Sequence, residues 1–304
     1  MKASFSIGIT GGMGLVGKAL RSSLSSPVIF ISRQESTKAL KLNEKCLIGS
    51  FTDSHIQDEF ISKVDVLIHA ATSVGPRSEF ESQFIENDLI GTLALAKNFF
   101  KSKPYGHFIY LSTSGGLYDL NDPNEKTEQS EIDPKSLYGA IKLLIEDSLQ
   151  DLSGNHGLVT IVRPAPVYGD SLKKNLTVGL IDKLLKSTFT DSINEAAVPI
   201  FDNMNSARDY LHVDDLSSAL KALINREHAS RFEIYNIGTG KETSILEVIK
   251  TINTISERPV QYKVLPVDKK PTSLIVNSDK IFTDTGWKAQ INLHDGILKM
   301  KEIK

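Results

Sequence analysis

Along the first half of the chain, short apolar runs alternate with longer stretches whose apolar residues return at helical spacing. The runs at residues 5–9, 28–31, 64–69, 107–111 and 158–162 are almost continuously apolar, as strands buried on both faces of a parallel sheet must be. Helices are predicted at about 14–25, 80–101 and 136–152. Regular strand–helix alternation predicts a doubly wound, Rossmann-type α/β parallel sheet. After Tyr168 and Gly169 the rhythm loosens. A helix-like stretch covers 176–186, a polar insert lies around 191–194, and the chain returns towards the sheet near 208–224 and 235–238. The reading is a large domain over 1–169, with its sheet completed by about 206–240, and a smaller C-terminal α/β domain formed by 170–205 and 241–304.

At 304 residues, 40% of them hydrophobic, the chain is long enough to bury such a core. A net charge of -2 supplies no basic field, so a nucleic-acid partner is not expected. The single cysteine, Cys46, allows no internal disulfide and no cysteine-rich metal site; it fits a reducing, cytoplasmic setting. No signal-peptide pattern and no run of about 18 apolar residues occurs, so no membrane span is expected.

Two motifs carry candidate chemistry. Thr10-Gly11-Gly12-Met13-Gly14-Leu15-Val16-Gly17 follows the first predicted strand and opens a helix, the context of a dinucleotide-binding turn. Gly11 suits a tight turn, Gly14 a close approach of pyrophosphate to the backbone amides, and Gly17 close packing of helix on strand, with Met13, Leu15 and Val16 completing the cradle. The second strand ends in Ser32-Arg33, where an NAD enzyme commonly offers an acid to the ribose. A hydroxyl and a guanidinium suit a 2′-phosphate, which favours NADP over NAD; the alternative is a solvated surface arginine.

The second motif is Tyr138-Gly139-Ala140-Ile141-Lys142, a phenol and an ammonium on one helix face. A tyrosine normally titrates near 10 and becomes a base at neutral pH only where positive charge favours its phenolate. Lys142 and an oxidised nicotinamide would both supply such charge.

With these motifs, the chain resembles the extended short-chain dehydrogenase/reductase family, in its nucleotide-sugar epimerase and dehydratase branch. The likeness runs through Asp65-Val66-Leu67-Ile68-His69-Ala70-Ala71, Asn87 with Gly91-Thr92, Tyr110 to Ser114 followed by Tyr118, and the Tyr138/Lys142 pair. It continues through Arg163-Pro164, Val167-Tyr168-Gly169, Arg208 to Leu216, and Tyr235 to Gly240. The resemblance implies catalysis by Ser114, Tyr138 and Lys142, with Thr113 as the competing hydroxyl; both hydroxyls could instead cap the following turn. Ala70 and Ala71 would leave room for the cofactor, and Asn87 would steady a helix backbone. Arg208 and Asn175 would contact a nucleotide-sugar substrate, with a helix cap as the alternative for Asn175. A homodimer is expected on the same ground.

Departures narrow the reading. Gly115-Gly116 stand where related dehydratases carry an Asp-Glu pair, and the cysteine of 3,5-epimerising relatives is missing. Where the family often places another arginine against the diphosphate, the chain reads Asp268-Lys269-Lys270-Pro271-Thr272. His212 with Asp214 and Asp215 reads as a strand-to-helix junction and His69 as a hydrogen-bonded core residue, so no metal is expected. A 4-epimerase is the leading expectation, an NADPH-dependent 4-keto-6-deoxy-sugar reductase the second, and a non-catalytic NADP-binding redox sensor the reading from another class.

Overall fold

The computed structural model describes residues 5–35, 39–73, 75, 82–154, 157–169, 179–189, 197–265 and 270–302. Its principal sheet is built from β1 (Ile7–Thr10), β2 (Val28–Ser32), β3 (Glu44–Ile48), β4 (Val66–His69), β5 (His107–Leu111), β6 (Leu158–Pro164) and, numbered by its later place in the chain, β11 (Phe232–Ile237). Their spatial order is β11-β6-β5-β4-β1-β2-β3. Neighbouring strands from β3 to β6 run parallel. β11 follows β6 in the same sense, with Val159 N–H on Arg231 O and Ala165 N–H on Ile237 O. Order reverses beside β1, the switch point at which ligands of doubly wound sheets gather. All four residues of β1 and β4, and all five of β5, are buried, which is why these runs read as continuous apolar stretches.

Between the strands lie α1 (Leu15–Ser23), α2 (Ser54–Ser62), the single turn α3 (Ser82–Phe84), a π-helical turn at Ile85–Ile90, α4 (Gly91–Ser102) and α5 (Leu137–Ser153). The predicted helix over 80–101 is thus interrupted, and its first two residues fall outside the described set. Within this stretch β3 and α2 went unforeseen. β3 opens on the charged pair Glu44-Lys45 at the sheet edge, with Leu47 alone buried, so it offers only a short apolar run. For α2 a cue existed: the Asp53 carboxylate accepts the N–H groups of His55 and Ile56 and caps the helix.

The chain divides into two compact units, one of 1–118, 132–163 and 220–235, the other of 119–131, 164–219 and 236–304. In the first, Phe60, Leu67, Phe99, Phe108, Ile141 and Val159 belong to one apolar cluster. The second contains β7 (Val167–Tyr168), α6 (Leu180–Ser187), β8 (Val198–Ile200), β9 (Ala207–Asp209), β10 (Leu211–His212), β12 (Glu242–Ser244), α8 (Ile245–Ile255), β13 (Tyr262–Val264), α9 (Asp279–Thr285) and α10 (Leu293–Glu302); α7 (Val213–Asn225) belongs partly to each unit. Its apolar cluster includes Leu184, Leu185, Val248, Ile252 and Ile297. The predicted polar insert at 191–194 lies outside the described residues. Among the described residues, no helix is long and apolar enough to cross a membrane.

Candidate active site

The turn after β1 is shaped by what a side chain would strike. Gly11 has φ +69°, and a Cβ there would lie 2.8 Å from Ala71 N and 2.9 Å from Ala70 O, so the turn sits directly on the end of β4. At Gly17 a Cβ would fall 2.3 Å from Gly11 O, which forces α1 close against the turn. Gly12, not singled out in the sequence, abuts Phe30 in the same way. Gly14 is exposed and forms the N-cap of α1 without any side-chain cap, leaving Leu15, Val16 and Gly17 to open the helix. An uncapped, glycine-lined helix N-terminus fits the pyrophosphate of a dinucleotide. Arg21, also missed, holds this turn from behind: it donates to Gly12 O at 3.2 Å and to Met13 Sδ at 3.2 Å, pairs with Glu44 at 2.9 Å and lies over Phe30.

His69 ends β4 with both ring nitrogens satisfied, by Thr10 Oγ1 at 2.8 Å and Thr92 Oγ1 at 2.9 Å. Full burial holds its imidazole down to about 3, with the nearby Lys142 charge adding to the effect. The histidine is a neutral strut between β1, β4 and α4. At the end of β2, Arg33 is exposed, and the Ser32 hydroxyl donates to Gln34 O at 2.6 Å in a local turn.

The Tyr138/Lys142 pair lies at the start of α5, capped by Ser136, whose hydroxyl accepts the Gly139 N–H at 3.2 Å. Gly139 fits tightly: a Cβ there would come within 2.0 Å of Gly116 O, so the helix rests on the main chain of the loop after β5. Lys142 is 5% exposed and donates to Leu111 O at 2.8 Å, with its Nζ 4.7 Å from the Tyr110 ring centre and 5.8 Å from that of Tyr138. Burial brings the Lys142 ammonium down to about 8, against the opposing pull of Asp88 and Glu146. Burial pushes the Tyr138 phenol up, a hydrogen bond with Thr113 draws it down, and the Asp88 charge raises it again. Of these influences burial is the largest, and it disfavours the phenolate. Ser114 is fully buried.

Beneath the pair is a buried ion pair absent from the sequence reading. The Arg163 guanidinium binds both Glu146 oxygens, its closest contact 2.6 Å, and also donates to the Tyr118 hydroxyl at 3.0 Å. Ser112 donates to the same carboxylate. Glu146 lies one helical turn beyond Lys142, a spacing that could have drawn notice. Asn87, expected to steady the helix backbone, is only half-buried; the buried polar residue of that turn is its neighbour Asp88.

In the second unit, Arg208 donates to Ala207 O at 2.7 Å and to Thr272 through its main-chain oxygen at 3.0 Å and its hydroxyl at 2.9 Å, with Asp202 at 3.6 Å. Its neighbour Asp209 accepts the N–H groups of Thr239, Gly240 and Val276. His212 Nδ1 accepts the Asp214 N–H, and Asp215 accepts those of Gln290 and Ile291. Among the described residues no cluster suited to a metal ion occurs. Asn175, Asp268 and Lys269 lie outside the described residues.

The sequence profile of the NAD dependent epimerase/dehydratase family matches residues 7–238. The chain is 25% identical to UDP-glucose 4-epimerase of Bacillus subtilis, over 94% of this chain and 93% of that protein. It is 24% identical to dTDP-4-dehydro-6-deoxyglucose reductase of Escherichia coli, over 96% and 95%. Its fold is similar to that of UDP-glucuronic acid 4-epimerase from Bacillus cereus, solved with UDP-glucuronic acid and NAD, with a TM-score of 0.85 and 21% identity over 98% of this chain and all of that one.

Proposed function

Because the chain belongs to the NAD dependent epimerase/dehydratase family and is a sugar-modifying enzyme that uses NAD(P), we propose that it is a nucleotide-sugar 4-epimerase with Tyr138 as its proton-transfer group. The observation that carries this reading is the set of groups at the carboxyl end of β5: a Tyr138 hydroxyl hydrogen-bonded to Thr113, a buried Lys142 one helical turn on, and glycines at 115 and 116. No carboxylate follows Ser114 to expel water from the sugar, which argues against a dehydratase.

Gly11, Gly14 and Gly17, with Met13, Leu15 and Val16, would hold the pyrophosphate of the dinucleotide; Ala70 and Ala71 would border it. When bound, the oxidised nicotinamide supplies a hydride acceptor and a positive charge. In that added field Tyr138 would take the proton of the sugar C4 hydroxyl and later give it back to the same oxygen, so that inversion needs only that the sugar turn over between the two transfers. Thr113 or Ser114 relays a hydrogen bond to the sugar oxygen, and Lys142 keeps positive charge beside the phenol. Arg208 and Asn175 would bind the nucleotide diphosphate.

One observation favours a second reading, an NADPH-dependent NDP-4-keto-6-deoxy-sugar reductase: β2 ends without an acid, and Arg33 stands exposed where a 2′-phosphate would be met. Incubation with UDP-, dTDP-, GDP- and CDP-sugars separates the readings. Turnover without added NADPH supports the epimerase. Strict dependence on NADPH overturns it in favour of the reductase, and inertness towards every sugar with cofactor still bound points to a redox-sensing binding protein. A homodimer is proposed from exposed apolar residues on two packed segments, Ile90 at 57% and Leu144 at 51%; light scattering at the monomer mass would refute it.

A further inference from the structure

The glycine turn after β1 is tied to the edge strand β3 through one side chain near the end of α1. The Arg21 guanidinium engages four neighbours at once: Gly12 O at 3.2 Å, Met13 Sδ at 3.2 Å, the Glu44 carboxylate through Nε at 3.3 Å and Nη2 at 2.9 Å, and the Phe30 ring, 3.6 Å from its centre. Both charged side chains of the pair are largely buried. The same stretch of chain also grips the far end of α1, with Lys41 Nζ on Arg21 O at 3.2 Å and on Ser22 O at 3.0 Å, and the Asn43 amide on Ser26 O at 2.9 Å. Residues 41–44 thus clamp the helix at its carboxyl end and, through the Arg21 fork, the turn at its amino end.

We propose that Arg21, backed by Glu44, is a positioning residue for the dinucleotide: it aims main-chain N–H groups of the glycine turn at the ligand without touching the ligand itself. The inference rests on that turn being the cofactor cradle. In a planar trans peptide the C=O and N–H point opposite ways. Two successive carbonyls of the turn are held towards α1: Gly11 O accepts the Gly14 N–H at 2.9 Å, and Gly12 O accepts from Arg21. The N–H groups of Gly12 and Met13 share those two peptide planes, so they are directed away from the helix. Consecutive N–H groups presented in this way form a concavity for anionic oxygen. Phe30 seats the turn from the side of β2, since a Cβ on Gly12 would lie 2.6 Å from the Phe30 Cβ. With carbonyl, thioether and ring all fixed before the ligand arrives, binding does not have to order the turn. A lysine lacks the planar fork that spans a carbonyl, a thioether and a carboxylate together.

Equilibrium binding of NAD, NADP and ADP-ribose to protein freed of nucleotide reads this without turnover. Arg21→Gln combined with Glu44→Gln removes the fork without stranding a buried charge. Affinity is expected to fall about tenfold, the scale of one charged hydrogen bond, and by the same factor for all three ligands, which share the adenosine diphosphate held at the turn. Glu233→Ala, which breaks a buried ion pair on the opposite edge strand β11, is the control for lost stability and should bind as the parent does. Parent affinity in the folded double variant overturns the proposal. So does an equal loss in Glu233→Ala, which would assign the effect to stability, or a loss confined to NADP, which would place Arg21 at the 2′-phosphate. Should the double variant not fold, Arg21→Lys, which keeps the charge but not the fork, gives the same reading. A parent protein that binds none of the three ligands defeats the cofactor assignment, and this inference with it.

Discussion

Two buried histidines, His69 and His107, occupy neighbouring strands of one sheet at opposite ends, since His69 pairs with Tyr110 and His107 with Val66. At the amino end, His107 bonds Thr160 at 2.8 Å and meets the His228 ring edge-on; His228 in turn touches Glu233, whose carboxylate is locked to Arg226. At the carboxyl end, His69 hydrogen-bonds two threonine hydroxyls and meets the Phe51 ring edge-on, and the nearby buried cation, Lys142, donates to a main-chain oxygen. One end closes its charges in pairs. The other has its own closed pair, Glu146 with Arg163, but beside it a buried ammonium and a phenol, Lys142 and Tyr138, whose titration burial displaces. That difference separates a region built for stability from one whose charges can respond to a ligand.

The largest expected effect tests the closed end. Glu233→Ala leaves a buried guanidinium unanswered and should cost about 3–5 kcal/mol in urea unfolding, with the rate per folded molecule unchanged. A large loss of rate at intact stability would erase the distinction. At the open end the converse holds: Tyr138→Phe should lower turnover by at least about two decades, roughly 2.7 kcal/mol of barrier, while its unfolding midpoint stays near that of the parent.

Acid sharpens the comparison further. His69 binds its proton at about 3 when folded and near 6.5 when unfolded, so the unfolded chain carries more protons between those values. The stability His69 contributes is complete above 6.5 and lost as pH falls towards 3, amounting to about 2 kcal/mol by roughly pH 5. His69→Gln should remove that share of the acid slope, and an unaltered slope would show that the strut does not titrate as described. The smallest effect concerns the exposed rim. Arg33→Ala should weaken NADP binding several-fold, by about 1 kcal/mol, and leave NAD binding unchanged in equilibrium titration.

The buried strands were legible because a parallel sheet covered on both faces leaves its pattern in consecutive apolar residues, as 107–111 did to the residue. The glycine turn and the Tyr138/Lys142 spacing were legible because each is a local constraint. β3 escaped because an edge strand with Glu44 and Lys45 lacks that pattern. Asp88 escaped for another reason: the π turn breaks helical periodicity, so a wheel drawn over 80–101 cannot say which polar residue faces inward. The Glu146–Arg163 pair needed two distant elements to meet, which no spacing records.

The seat of Gly139 on Gly116 reaches beyond local packing. It fixes the height of the Tyr138 ring through two stretches of main chain, so that any side chain added at position 139 would have to lift the start of α5 off the loop after β5.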